Sequence, residues 1–320
     1  MNIVFMGTPE FAVPSLQTLL DHRFTVSAVV TAPDKPRGRG QQVSPTPVKE
    51  FAVASGIPVL QPETLRDPEF VSALQSLAPD LFVVVAFRIL PKDVYTIPRL
   101  GAFNLHASLL PKYRGAAPIN WAIINGETET GVTTFFLQEK VDTGSIILRK
   151  SIPIPSEMNA GELHDELMDL GARAVLETVQ LIDRGSVPLL NQDDSLATPA
   201  PKIFKDDCRI DWTRSTAAVH NFIRGLSPYP AAWTTLEGKT VKIFRTHIMP
   251  DASSSVPPPV SHTDAALPHS GAIRTEEERL FAAASDGELE ILELQLEGKK
   301  RLTAAEFLRG RRLTVPAWDN

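Results

Sequence analysis

Asn104 and His106 lie two residues apart in the segment GAFNLHASLLPKYRGAAPINWAIING, residues 101–126. If Gly101 to His106 forms a strand, the i, i+2 spacing puts both side chains on one face. The small residues and proline of 107–115 would end that strand, and open α/β sheets bind ligands at the carboxyl ends of their strands. An amide donor beside an imidazole suits a carbonyl substrate. Asn can stabilise a developing oxyanion, and His can accept or deliver a proton near neutral pH. Asp142, in a later turn, is placed to orient or charge-stabilise the imidazole. Spacing alone also permits a plainer reading, in which Asn104 bonds backbone and His106 caps a loop.

The surrounding sequence supplies elements that could position such a pair. Residues 2–6 (NIVFM) form an apolar run stopped by Gly7, a helix-compatible stretch covers Pro9 to Leu20, and Thr25 to Val30 is a second β-rich run. Leu81 to Ala86 (LFVVVA) is apolar on both faces, as in a strand covered by helices on both sides. Strands separated by helical stretches favour an open, mostly parallel sheet. Gly131 to Gln138 and Ser145 to Arg149 read as two strands joined by the turn EKVDTG, and Asn159 to Arg184 has the apolar spacing of one long amphipathic helix. Residues 31–49, with four prolines, two glycines and four basic residues, predict an exposed loop that is neither helix nor strand.

Gly185 to Pro201 reads as a polar, proline-bearing linker. Beyond about residue 206, a helix from Ser215 to Arg224, capped by Thr213 or Ser215, is followed by the short strand-like pieces AAWTTL, TVKIFRT, GAIRT, RLFAAA and LEILELQ. That pattern suggests a small barrel or sandwich. Residues 250–270 are low in complexity and read as an insertion within it.

Composition narrows the function. The 320 residues suggest about two domains of roughly 150 each, and 43% hydrophobic residues are enough for real cores. A net charge of −6 argues against a general nucleic-acid coat, though not against a local basic patch meeting one RNA. The single cysteine, Cys208, allows neither an intrachain disulfide nor a cysteine zinc cluster. The opening MNIVFMGTPEF lacks a basic n-region and no long apolar span follows, so a cytoplasmic, non-membrane protein is expected. GTPEFA after the first strand has one glycine where a dinucleotide fingerprint needs three, and no Walker phosphate loop occurs. His164, His220 and His247 show no metal-ligand spacing and read as ordinary surface or helix residues, and Trp121 reads as core.

The run NLHASLLPKYRGAAPINWAIINGETETGVT…VDTG strongly resembles the catalytic segment of the 10-formyltetrahydrofolate-dependent formyltransferases, marked by an Asn, a His two residues later, an SLLP loop and a downstream Asp. The match runs without a gap from Gly101 to Thr143. MGTPEFAVPSL and APDKPRGRGQQVSPTPVKEFA resemble the opening and the inserted loop of the branch that acts on methionyl-tRNA. CRIDWTRSTAAVHNFIRGLSPYPAAW is similar to that branch's entry into its C-terminal barrel. One departure is VVAFRILP, a residue shorter than the branch's VVAYGxILP and without its glycine.

The resemblance implies a Rossmann-like sheet domain (1–189), a linker (190–205) and a smaller C-terminal OB-like β-barrel that contacts tRNA (206–320). It implies Asn104, His106 and Asp142 as the catalytic set and Ser108, Leu109, Leu110 and Pro111 along the folate. Arg39 takes the position of the branch's main basic tRNA contact, with Arg37 and Lys35 beside it. The implied donor is 10-formyltetrahydrofolate, with no metal, and the implied acceptor is methionyl initiator tRNA, formylated by a monomer for translation initiation. The alternative acceptor is a sugar-nucleotide amine, as in another branch of the family.

Overall fold

In this computed structural model, the residues described are 1–37, 42–249, 269–310, 313 and 316–319. Arg39 and the low-complexity segment at 250–268 lie outside them, as do the side chain of Arg37 and residues 311 and 312. The chain divides into two compact units, each discontinuous. The first comprises Met1–Pro118, Glu129–Pro153 and His164–Pro201, and the second Ile119–Thr128, Ile154–Leu163 and Lys202–Asn320.

The first unit begins with β1 (Asn2–Gly7), α1 (Val13–Asp21), β2 (Thr25–Val30), β3 (Lys35–Arg37), β4 (Gln42–Ser44), α2 (Pro47–Ala54) and β5 (Val59–Leu60). It continues with α3 (Pro68–Ser76), β6 (Leu81–Val85), α4 (Lys92–Tyr95), β7 (Ala102–His106) and β8 (Arg114–Gly115). After α5 (Pro118–Ile124), which belongs to the second unit from Ile119 on, come β9 (Glu129–Phe136), β10 (Ile146–Pro153), α6 (Ala160–Asp183), whose residues up to Leu163 belong to the second unit, and β11 (Pro199–Ala200). Seven strands make one sheet in the order β10-β9-β7-β6-β1-β2-β5. It is parallel from β7 to β5, while β9 runs antiparallel to β7 and β10 to β9.

Alternation along the apolar strands feeds two cores. Val4, Met6, Phe82, Val84 and Ala102 pack with Phe70, Leu74 and Val94 on one face. Ile3, Phe5, Leu81 and Val83, fully buried, point to the other. Each such side chain contributes about 1.5–3 kcal/mol by leaving water. Gly171 lets α6 lie close on β7, since a Cβ there would stand 2.7 Å from Leu105 Cδ2. Leu105 therefore faces the helix, and its neighbours Asn104 and His106 take the opposite face.

The proline-rich stretch departs from the expected loop. Lys35↔Ser44, Pro36↔Val43 and Arg37↔Gln42 pair β3 and β4 as a short antiparallel ribbon. Pro47 then opens α2 behind Thr46, whose Oγ1 accepts from the Lys49 N–H at 3.1 Å. A proline at the first helical position needs no amide partner, so Thr-Pro was a start signal inside a run read as irregular. Lys49, the last of the four basic residues of this run, is turned back on Asp34 at 2.5 Å, whereas Lys35 stays exposed.

The second unit adds α7 (Thr216–Leu226), β12 (Ala232–Leu236), β13 (Lys239–Ile248), β14 (Ile273–Glu276), β15 (Arg279–Ala283), β16 (Glu288–Leu296), β17 (Leu302–Thr303) and α8 (Ala304–Arg309). Its antiparallel sheet has the order β12-β13-β16-β15-β14, with β17 on β16. The tail touches both sheet ends, through Thr235↔Asp319 at β12 and Ala272↔Ala317 beside β14. Between those bridges Trp318 stacks on Trp212 with centroids 6.1 Å apart. Ser215 caps α7 by accepting from the Ala218 N–H. Trp121 and Ile124 pack into this unit's core, as read for Trp121 from the sequence.

His220 lies on α7, as the helix reading allowed, but is buried rather than on the surface. It is 4% exposed, with Nδ1 3.0 Å from Thr246 Oγ1 and Nε2 3.2 Å from the Ser156 carbonyl. Burial pushes its pKa below the ordinary imidazole value; the Ser156 carbonyl and Glu157 oppose that shift, and Arg224 and His247 reinforce it. The unfolded chain thus takes up a proton that the folded one resists. His220's contribution is whole above about pH 6.5 and declines as pH falls below it. Urea melts at pH 8 and pH 5.5 are expected to show a larger acid loss for the wild type than for His220→Gln; equal losses would refute this.

Candidate active site

The site is built at the carboxyl end of β7. Asn104 pairs in register with Val84 on β6 and Phe135 on β9, and His106 with Thr133 on β9, so sheet hydrogen bonds on both sides fix the strand. Asn104 is half-buried, and among the described residues no group hydrogen-bonds its side-chain amide. A half-buried donor without a protein partner is poised for a ligand.

His106 is 6% exposed and firmly held. Its Nε2 lies 2.8 Å from the Tyr113 carbonyl, which can only accept, so Nε2 carries the proton. In the neutral ring Nδ1 is then the open nitrogen. It faces Asp142 Oδ2 at 4.0 Å, beyond direct hydrogen-bond reach but close enough for charge to matter. Asp142 sits in left-handed backbone, φ +56°, and its Oδ2 accepts the Gly115 N–H at 3.0 Å.

The SLLP loop is tied down from within. Thr133 Oγ1 donates to the Ser108 carbonyl at 2.7 Å and accepts the Leu110 N–H at 3.1 Å. Ser108 Oγ donates to the Lys112 carbonyl at 2.7 Å. Ser108 and Leu110 are thereby enclosed, while Leu109 and Pro111 keep surface open. At the VVAFRILP departure, Arg88 donates to the carbonyls of Pro62 and Glu63 at 2.8 and 3.0 Å and lies over the Phe87 ring. Burial pushes the guanidinium's pKa down.

The structure thus brings His106 and Asp142 to 4.0 Å, with Asn104 two residues from His106 on the same face of β7. Sequence reading missed the residues that hold them. The stretch read as a linker supplies Gln192, whose Nε2 donates to the carbonyls of Asp142 and Gly144, both at 2.9 Å. It also supplies Thr198, whose Oγ1 accepts the Tyr113 N–H at 2.9 Å, and β11, which pairs with β8. Arg114, inside the motif, donates to Gln192 and Asp194. Nothing in the spacing of NQDDSLATPA marks these residues; they become visible only when the chain returns along β8.

Residues 1–179 match the family described as formyl transferase, and residues 202–312 match its C-terminal domain. The chain belongs to the formyl transferase family. This formyl transferase is 53% identical over 315 residues to the methionyl-tRNA formyltransferase of Chlorobium phaeovibrioides, covering 98% of this chain and 96% of that one. It is 49% identical over 324 residues to the methionyl-tRNA formyltransferase of Bacteroides fragilis, covering 98% and 96%. Among solved structures, the sugar 3N-formyl transferase WlaRD, with dTDP and 5-N-formyl-THF, gives a TM-score of 0.65 at 20% identity over 94% of this chain and 99% of that one. HypX from Aquifex aeolicus, in complex with tetrahydrofolic acid, gives 0.61 at 18% identity over 96% and 46%. These two likenesses show the fold alone. Among the described residues, no helix of this formyl transferase is long and apolar enough to cross a membrane.

Proposed function

We propose that the protein transfers the formyl group of 10-formyltetrahydrofolate to the amino group of methionine on initiator tRNA, giving N-formylmethionyl-tRNA for translation initiation in the cytoplasm. The observation that carries this reading is the near-full-length identity of about half to methionyl-tRNA formyltransferases. The Asn104 amide, without a partner among the described residues, the tautomer imposed on His106 and the open surface of Leu109 and Pro111 fit a formyl donor laid along the loop. No metal enters this scheme.

In this scheme the neutral amine attacks the formyl carbon, and the oxyanion that forms is stabilised by the Asn104 amide. His106 takes the amine proton at Nδ1, and the Asp142 carboxylate 4.0 Å away stabilises the resulting imidazolium. The bond to N10 breaks as N10 receives that proton, so the proton passes in balance from acceptor to donor. Leu109 and Pro111 border the folate, with Ser108 and Leu110 holding the loop beneath.

The test is formyl transfer by the purified chain from 10-formyltetrahydrofolate to charged initiator tRNA, beside an amino-sugar nucleotide. Formylmethionyl-tRNA as product supports the reading; transfer to the sugar amine alone would replace it. In the same reading Lys35, Arg37 and Arg39 meet tRNA phosphates. Arg39→Ala is expected to lower kcat/KM for tRNA and flatten its salt dependence by about one unit of log–log slope, with folate affinity unchanged. Arg37→Ala is expected to do less. An unaltered salt slope for Arg39→Ala would leave this basic run as solvated surface.

A further inference from the structure

We propose that Gln192 is a positioning residue for Asp142, acting with Arg114 through a closed ring of hydrogen bonds. The proposal rests on the catalytic role given above to Asp142. Gln192 Nε2 donates to the Asp142 and Gly144 carbonyls at 2.9 Å each. Its Oε1 accepts from Arg114 Nη2 at 2.7 Å and Nε at 3.2 Å. The next residue along, Gly115, donates its N–H to Asp142 Oδ2 at 3.0 Å, closing the ring. Both N–H groups and the carbonyl of the Gln192 amide are thus used, and their polarity fits a carboxamide where a carboxylate would not: donors toward two carbonyls, an acceptor toward a guanidinium.

The ring has something to hold. Asp142 occupies left-handed backbone, φ +56°, a conformation that persists in a non-glycine residue when its surroundings over-determine it. Gly144 is jammed against β9, since a Cβ there would stand 1.6 Å from the Phe136 carbonyl oxygen. Between those points the turn's carbonyls rely on Gln192. Paired backbone bonds between Ile146 and Leu190, at 2.8 and 3.0 Å, bring the Gln192 segment alongside. Asp194 takes a further Arg114 N–H at 2.7 Å, and Arg114 holds that carboxyl's pKa below the ordinary range. The Arg114 side chain is 15% exposed, and its bonds to Gln192 and Asp194 fix the guanidinium's orientation.

A group acting through Asp142 has a signature that a general support does not. In the full chain, Gln192→Ala is expected to lower kcat about 10–100-fold, with KM for both substrates within about threefold, because displacing a catalytic group by an ångström costs that order. Gln192→Glu keeps the acceptor for Arg114 but sets a carboxylate oxygen against two carbonyls, so it is expected to be no better than Gln192→Ala. In an Asp142→Ala background, Gln192→Ala is expected to cost less than about a further twofold. Hydrogen exchange at the Gly115 amide is expected to quicken by about tenfold or more in Gln192→Ala, as its acceptor loosens. Normal turnover in Gln192→Glu, a multiplied loss beside Asp142→Ala, or unchanged exchange at Gly115 would each overturn the proposal. If the wild type fails to formylate tRNA, the functional reading falls instead, and exchange at Gly115 still decides whether Gln192 holds the turn.

Discussion

His106→Ala is expected to reduce kcat for formyl transfer by about 10²–10⁴-fold, the range typical of a lost general acid–base group. The ring is nearly enclosed and, among the described residues, bonds only the Tyr113 carbonyl through Nε2, so its removal leaves the sheet pairing of β7 untouched and the fold intact. Asn104→Ala is expected to cost about 10²–10³-fold, as for one oxyanion donor. The double variant should lose less than the product of the two, because the residues act on one transition state. Single-turnover rates with saturating folate donor and charged tRNA check all three variants. Near-normal turnover in either single variant would remove that residue from the mechanism.

Gly115→Ala is expected to damage stability and activity together. The residue has φ +128°, where L side chains are rarely found, and a Cβ there would stand 2.5 Å from the Ala200 carbonyl oxygen. Backbone strain of about 1–3 kcal/mol adds to the displacement of β11 from β8. The Gly115 N–H that holds Asp142 Oδ2 would move with it. A lower melting temperature with a fall in kcat of about tenfold or more is expected, since small misplacements of catalytic groups cost that much. A variant that melts and turns over like the wild type would show that β8 and β11 part without consequence.

Much of the sheet was legible because its strands are uniform in type. NIVFM is apolar after Asn2 and LFVVV is apolar throughout, and such short β-branched runs fit strands covered on both faces. The long helix was legible from spacing, with bounds of 159–184 expected and Ala160–Asp183 found. Asn104 and His106 were legible as a pair because period-two geometry is local. Their support was not, since Gln192 and Thr198 reach residues 48 to 85 positions away, and no local pattern encodes such returns. The ribbon of β3 and β4 was hidden for a different reason. Two short strands flanked by prolines carry no alternation long enough to register, and their pairing rests on backbone bonds that side chains do not announce.

The interleaving of the two units bears on how the chain is made. It passes from one to the other at 118/119, 128/129, 153/154, 163/164 and 201/202. A ribosome therefore releases Trp121 and Ile124 long before Ile223 and Leu226, their partners in one apolar cluster, have been synthesised. The sheet of the first unit can form around those residues, but the second core waits until the nascent chain is almost complete. Such non-local closure is slow and leaves apolar surface uncovered meanwhile, so α5 is the segment that a chaperone would meet on a half-made chain.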